Sequence, residues 1–490
     1  MPRPAANVPA AAAGIPPARP GIDLRLDGNQ GRAPGPAFAD RLGRDVELLR
    51  CYPLEHALEE QLAARHGVGP ERIFVGAGAD EVLDRLCRVA LEPGRQAIVP
   101  LPTFEMLPRY VALAGGALHA VPWHDGPWPR DAVLAAISAQ TALVAIVSPN
   151  NPTGLVATAD DLRAVLAAAP HALVLVDAAY AEFGGEDLTA VAQQHDHAVV
   201  VRTFSKAFGL AGLRVGYAIA APAVVRWLVA AGSPFPCGTL ARRAALLRLD
   251  DTGGDVAEYV HEVALEREAL LGTLRAAGAS PLPSAANFVY VRGAAPAWLG
   301  DALAGLGIAV RVFADDGVRV TMPGHPADFV RLQRAVEAAL APRAVLLDLD
   351  GVLADLEARR PLAAVEDLRA LAARLPLGVV TSCPRRLAES VLFRHGFADC
   401  VTTLVCHEDG PGKPDPAPVR LALQRLGVSA AWMLGDNPGD VLAARRAGVV
   451  PLAVRPHGIG AESHAERLRE AGAARLIGGL GELLALLPRG

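Results

Sequence analysis

Thr203-Phe-Ser-Lys206-Ala-Phe-Gly-Leu210-Ala-Gly-Leu-Arg214-Val-Gly-Tyr-Ala218 contains one of only two lysines in the chain. Of 47 Lys plus Arg, only Lys206 and Lys413 are lysine, and the other 45 are arginine. Arginine serves as well as lysine on a solvated surface, but a guanidinium cannot be deprotonated in a protein. It therefore cannot form an imine or act as an amine nucleophile. Ahead of Lys206 runs Ala198-Val-Val-Val-Arg-Thr203, a β-branched run that reads as a buried strand. A lysine at a strand end, with Ser205 beside it and Arg214 eight residues on, suits an aldehyde cofactor carrying a phosphate. The amine condenses with the aldehyde while hydroxyl and guanidinium hold the phosphate.

This S-K-x-x-G-L-x-G-x-R-x-G stretch resembles the lysine segment of class I/II (fold-type I) aminotransferases, which use pyridoxal 5'-phosphate (PLP). The resemblance implies a large doubly wound α/β domain, about 44–222, and a small C-terminal α/β domain, about 223–342, completed by an N-terminal segment. Apolar strand-like runs alternate with Ala/Leu-rich helical stretches from about residue 44, in keeping with that fold. Ligand residues in such folds lie at the carboxyl ends of strands.

The other motifs fall at such positions. Ile73-Phe-Val-Gly76-Ala-Gly78-Ala79-Asp80-Glu81 reads as strand, glycine turn and helix start, where free N–H groups and the helix dipole favour an anion. It resembles the family's phosphate cup, with Ala79 where serine is usual, so Thr203 and Ser205 are expected to matter more. Phe104, in Pro102-Thr-Phe104, is placed to stack on the pyridine ring or to pack in the core. Ser148-Pro-Asn150-Asn151-Pro-Thr-Gly154 ends an apolar strand, and the resemblance gives Asn151 the cofactor's phenolic oxygen. Asp177 ends the strand Leu173-Val-Leu-Val-Asp177. A buried carboxylate is costly unless paired, and a protonated pyridine nitrogen is the partner this chemistry wants. Tyr180 shares the phenolic oxygen.

Two earlier elements are implied by resemblance as well. Asn29 sits in an N-terminal segment that lines the substrate pocket in the family, though alone it reads as an ordinary turn. Arg50-Cys-Tyr52-Pro53 is similar to an R-Y-P element whose tyrosine reaches the neighbouring subunit's cofactor phosphate, implying a homodimer. Near the end of this region, Gly317-Val-Arg319-Val-Thr resembles the strand whose arginine grips the amino acid's carboxylate, and Arg311 is a second anion contact.

A second set of motifs follows Arg343. Ala344-Val-Leu-Leu-Asp348-Leu-Asp350-Gly351 is a buried strand ending in two carboxylates on one edge of the pleat. They would repel without a cation or a shared proton. Thr381 and Ser382 end another apolar strand, Lys413 stands in Gly-Pro-Gly-Lys-Pro-Asp415, and Asp436 and Asp440 offer hard-cation ligands. In this order the four motifs resemble the haloacid dehalogenase superfamily, implying a Rossmann-like domain over 343–490. By the resemblance Asp348 is the nucleophile and Asp350 the general acid/base. Thr381, Ser382 and Lys413 bind the phosphoryl group. Mg²⁺ is held among Asp348, Asp350, Asp436 and Asp440. Only 33 residues separate Asp348 from Thr381, and 32 separate Thr381 from Lys413, too few for a cap domain. The site is expected to be open or to be shielded by the preceding aminotransferase domain.

Composition bounds the rest. At 490 residues, with 52% hydrophobic and 20% charged residues, the chain suits a multidomain globular enzyme. A net charge of −5 argues against a general nucleic-acid binder. Six scattered cysteines read as reduced thiols in the cytoplasm. No apolar run approaches the roughly 18 residues of a membrane span. Residues 1–20, with six prolines among alanines, read as a disordered tail. A PLP-sensing regulator of this fold would need a basic winged-helix segment, which so short a tail does not supply. The ordered motif set most resembles histidinol-phosphate aminotransferase, with a phosphorylated keto substrate and glutamate as donor. The fused phosphatase would then act on the product. The family's N-E-N-P-Y-G turn reads Asn29-Gln-Gly-Arg-Ala-Pro34 here, which leaves another keto-phosphate or amino acid open.

Overall fold

The computed structural model describes residues 7–8, 19–43, 46–250, 254–293, 296–313, 316–458 and 460–488. Most of the Pro/Ala-rich tail lies outside them. β1 (Leu24–Leu26) is followed by the seven strands of the first sheet. These are β2 (Ile73–Ala77), β3 (Gln96–Leu101), β4 (Ala117–Pro122), β5 (Thr141–Val147), β6 (Leu173–Asp177), β7 (Ala198–Thr203) and β8 (Val215–Ile219). Their spatial order is β2-β8-β7-β6-β5-β3-β4, with β8 alone running against its neighbours. Every residue of β5 and β7 is buried. Both are near-continuous Val/Ile/Ala runs, as strands covered by helices on both faces require. The carboxyl ends of β2, β3, β5, β6 and β7 gather on one edge.

The second sheet contains β9 (Ser280–Pro281), β10 (Phe288–Arg292), β11 (Ile308–Phe313) and β12 (Gly317–Thr321), in the order β1-β11-β12-β10-β9. β1 joins it in parallel with β11, so the N-terminal segment completes this sheet. Arg311 and Arg319 are direct cross-strand partners of β11 and β12.

The third sheet is built from β13 (Ala344–Leu347), β16 (Leu377–Val380), β17 (Thr403–Val405), β18 (Ala431–Gly435), β19 (Val450–Val454) and β20 (Arg475–Ile477). All are parallel, in the order β17-β16-β13-β18-β19-β20. Between β13 and β16 lie only a small hairpin, β14 (Ala354–Asp355) with β15 (Arg360–Pro361), and the helix Val365–Ala372.

One face of this third sheet, carrying Ala344, Leu346, Ala431 and Met433, packs on a core of its own. The other face, with Val345, Leu347, Trp432 and Leu434, merges into the large core that runs back into the first two sheets. The helix Pro326–Leu340 supplies much of that contact. Trp432 donates its Nε1–H to Ala338 O at 2.7 Å, and Trp298 to Ala339 O at 2.9 Å. At the amino edge Arg475 pairs with Asp301 at 2.7 Å. Gly305 approaches Pro451 and Ala474. Asp348 lies at the opposite, carboxyl edge. The expected shielding of its site by the preceding residues is therefore corrected: the contact is made by the amino edge and one face, because Trp432 and Leu434 present an apolar surface there.

Candidate functional sites

The first site is a cavity of about 570 Å³ at the carboxyl edge of the first sheet. Its wall includes Asn29, Ala79, Asp80, Phe104, Asn151, Asp177, Tyr180, Thr203, Ser205, Lys206, Arg214, Arg311 and Arg319. Thirteen residues singled out from the sequence thus meet around one cavity. Lys206 Nζ lies 5.5 Å from the Tyr180 ring centroid and donates to Gly28 O at 3.4 Å. Asp177 is 5% exposed and accepts from the Ala179 N–H at 3.1 Å. Burial pushes its carboxyl up to about 6, against the weaker pull of the Ala179 N–H and Lys206.

Anion-binding groups converge at the neighbouring end. The helix Gly78–Ala90 starts directly after β2. Gly78 has φ +80° and packs against the Arg214 guanidinium, and a Cβ on Gly216 would overlap Gly78 and the Ala79 N–H. Two glycines, one opening the helix and one on β8, thus let this helix start approach β8. Arg214, itself left-handed at φ 54°, donates to Asp80 at 2.7 Å and to Ser205 Oγ at 3.4 Å. Thr203 Oγ1 donates to Ser205 Oγ at 3.0 Å.

The opposite wall is built by the second sheet. Arg319 is buried and donates to Asn151 Oδ1 at 2.5 Å and to Asp27 O at 2.7 Å. Burial lowers its pKa, and its Nε has no protein partner. Arg311 pairs with Glu105 at 3.2 Å. Asn29 is no free turn: its amide donates to Tyr180 O–H at 2.9 Å and accepts from Thr321 Oγ1 at 2.7 Å. Tyr52 stands apart, 71% exposed and stacked on Phe235 at 4.7 Å. It does not line this cavity within one chain. Glu105, Asp27 and Gly216 were not picked out from the sequence. Gly216 lies inside the quoted lysine segment, which is the one signal that could have marked it.

The second site sits at the carboxyl edge of the third sheet. Lys413 Nζ lies 2.9 Å from Asp348 Oδ1, also pairs with Asp440 Oδ1, and donates to Val380 O at 3.0 Å. Oxygens of Asp348, Asp436 and Asp440 fall within 4.8 Å of one another. Burial, then Asp440, raises the Asp348 carboxyl despite Lys413. The same two causes push Asp436 up to about 6. Gly351, at φ +73°, leaves the room that the Asp436 carboxylate fills, since a Cβ there would overlap it. Thr381 is buried, and its Oγ1 accepts from the Cys383 N–H at 3.2 Å. Ser382 is exposed. Asp350 is exposed too, and its carboxylate accepts from the Leu356 N–H at 3.0 Å. It stands outside the three-carboxylate cluster.

Both sites fit the groups their chemistry calls for. Asp177 is a buried carboxylate raised by desolvation, placed for a cationic ring nitrogen, and the glycine-opened helix start beside Arg214 and Ser205 suits a phosphate. In the second site three carboxylates face one lysine. The surplus of two negative charges and the oxygen-only donors suit a divalent hard cation.

Comparisons with known proteins agree. The model of the class I and II aminotransferase family matches residues 36–338. The haloacid dehalogenase-like hydrolase model matches 240–448, overlapping the first and taking in β13 to β18. An aromatic amino acid aminotransferase of Mycolicibacterium vanbaalenii is 36% identical over 298 residues, 59% of this chain and 84% of that protein. Another from Mycobacteroides abscessus is 36% identical over 312 residues, covering 62% and 89%. The histidinol-phosphate aminotransferase of Sinorhizobium meliloti, solved with pyridoxal-5'-phosphate, superposes with TM-score 0.59 at 28% identity over 65% of this chain and 92% of that one. No helix among the described residues is long and apolar enough to cross a membrane. The chain is an enzyme: it belongs to the class I and II aminotransferases, whose cofactor is PLP, and it also carries a haloacid dehalogenase-like hydrolase, a kind of enzyme that uses Mg²⁺.

Proposed function

We propose that residues 21–342 transfer an amino group from glutamate to a keto-phosphate, and that residues 343–490 hydrolyse the phosphate ester of the product. The observation that carries the first half is the cross-strand pair Arg311 and Arg319 on the wall of the cavity that holds Lys206. Two guanidiniums there suit both a dicarboxylate donor and a phosphorylated acceptor. Arg319, with Nε unpartnered, takes the carboxylate, and Arg311 exchanges Glu105 for the distal anion.

PLP supplies an electron sink when bound. Asp177 would hold a proton on the ring nitrogen, Asn151 and Tyr180 would bond the phenolic oxygen, and Phe104 would stack on the ring. Gly78, Ala79, Asp80, Thr203, Ser205 and Arg214 form the phosphate end. Lys206 Nζ takes the substrate's Cα proton and returns it one position along. Asn29 orients Tyr180.

In the second half Asp348 attacks phosphorus and the ester P–O bond breaks, while Asp350 gives its proton to the leaving alkoxide. Asp350 then takes a proton from water, whose oxygen attacks phosphorus and frees phosphate, restoring the Asp348 carboxylate. Lys413, Thr381 and Ser382 hold phosphoryl oxygens. Mg²⁺ offsets their charge when bound.

A second reading, an aromatic amino acid as the aminotransferase substrate, is favoured by the 36% identity to such enzymes and by Phe104 and Phe313 on the cavity wall. Steady-state assays with imidazole-acetol phosphate and with phenylpyruvate as acceptors, each against glutamate, separate the two. Faster steady-state release of 2-oxoglutarate from glutamate with phenylpyruvate as acceptor would overturn the first. We place the enzyme in the cytoplasm on its six free cysteines, and as a homodimer on the exposed Val46, Leu49, Tyr52, Leu54 and Phe235.

A further inference from the structure

The loop that carries Asp436 is held from two directions. From within, Asn437 caps the helix Pro438–Arg446: its side chain accepts from the Gly439 N–H at 3.3 Å, while Asp440 Oδ2 accepts from the Asn437 N–H at 3.1 Å. From outside, His464 Nε2 lies 2.7 Å from Asp436 O. His464 stands on the helix Ala461–Ala471, beyond β19 in the chain. Its other nitrogen, Nδ1, lies 2.9 Å from Arg467 Nη2, and Arg467 donates in turn to Ser463 Oγ at 3.1 Å.

The partners fix the imidazole's tautomer. A carbonyl oxygen only accepts, so Nε2 carries the hydrogen. A guanidinium only donates, so Nδ1 presents its lone pair. The ring is thus a strut, oriented at both ends, between the helix Ala461–Ala471 and the peptide that follows β18. On the far side of that peptide the Asp436 carboxylate rests against Gly351. A shift of the peptide would carry the carboxylate away from its place beside Asp348 and Asp440.

We propose that His464, oriented by Arg467, is a positioning residue for the cation site of the hydrolase, setting the Asp436 carboxylate at the spacing a divalent ion needs. The inference rests on the reading of Asp348, Asp436 and Asp440 as that site. His464 makes no contact with substrate and takes no part in proton transfer. Groups that orient a metal ligand typically contribute about 10- to 100-fold in metal affinity.

The test uses the full-length protein and MgCl₂ alone, titrated by calorimetry without substrate, alongside phosphatase and aminotransferase assays. His464→Leu removes both bonds. It is expected to weaken Mg²⁺ binding about tenfold or more, to raise the half-saturating Mg²⁺ by the same factor, and to leave the rate at saturating Mg²⁺ within about threefold. His464→Gln can donate to Asp436 O and accept from Arg467, and is expected to restore Mg²⁺ affinity to within about threefold of wild type. Unchanged Mg²⁺ binding in His464→Leu overturns the proposal. So does a glutamine variant as weak as the leucine one while its aminotransferase rate and melting temperature match wild type. Should wild type itself bind no Mg²⁺, the cation site falls and this inference with it. Wild type that binds Mg²⁺ but releases no phosphate would count against the hydrolase substrate alone.

Discussion

The indole rings of Trp298 and Trp432 meet with centroids 4.6 Å apart and planes inclined by 60°. Each gives its N–H to the last turn of one helix, Pro326–Leu340. Carbonyls that a helix end leaves without partners are thereby satisfied by two side chains, one from the helix Pro296–Gly305 and one from the third sheet. The third sheet is docked, not tethered. Trp432→Ala removes a fully buried ring and is expected to cost about 3–5 kcal/mol. Scanning calorimetry should show one shared transition in wild type and two separated ones in the variant. A single, unshifted transition in the variant would contradict the docking.

Asp177 gives a pH-dependent expectation for the cofactor-free protein. Its folded pKa of about 6 lies above the ordinary 3.8, so the fold favours the protonated form. Its contribution is fully present below the ordinary value and is lost as pH rises through about 6. A shift of this size corresponds to on the order of 3 kcal/mol at neutral pH. Asp177→Asn keeps the shape without the charge. Cofactor-free Asp177→Asn should be more stable than wild type at pH 7.5, and the gap should close by pH 4. Measured urea midpoints that differ equally at both pH values would contradict this. With PLP added, the order should reverse in favour of wild type.

Gly351→Ala places a methyl where the Asp436 carboxylate lies and strains a left-handed residue. Phosphatase activity is expected to fall at least about tenfold, with aminotransferase rates unaltered. Parallel assays on one preparation read both.

Arg319→Lys keeps a charge but loses the two-pronged geometry that reaches Asn151 and Asp27. Bonds to charged groups are worth about 1.5–3 kcal/mol, so kcat/KM for glutamate should drop about 10- to 100-fold. Phosphatase kinetics should not move. A fall confined to kcat, with KM unchanged, would argue against Arg319 as the carboxylate contact.

Much of both sites was legible because strand and ligand are consecutive in sequence. β5, β6 and β7 read as apolar runs, and Asn151, Asp177 and Lys206 follow at their carboxyl ends, where a parallel sheet opens a crevice. The same holds for Asp348 after β13 and Asp436 after β18. What could not be read depends on distant crossings. Glu105 meets Arg311 across 206 positions, and His464 meets Asp436 across 28. Neither pair sits in a motif. Trp432 reads as one more apolar strand residue, and nothing in its neighbours says that its face is turned toward the preceding helix. That is why the expected shield over Asp348 was misplaced. Asn29 looked like a turn because its partners, Tyr180 and Thr321, lie 151 and 292 positions away in sequence.

The most direct measurement follows 2-oxoglutarate and inorganic phosphate together after the PLP- and Mg²⁺-loaded protein is mixed with imidazole-acetol phosphate and glutamate. The expected result is 2-oxoglutarate first and phosphate after a lag, with Lys206→Ala abolishing both. Asp348→Asn should abolish phosphate alone while the phosphorylated amino product accumulates. Phosphate released at full rate by Lys206→Ala, or 2-oxoglutarate formed with no phosphate at all from wild type, would contradict the sequential pairing of the two sites.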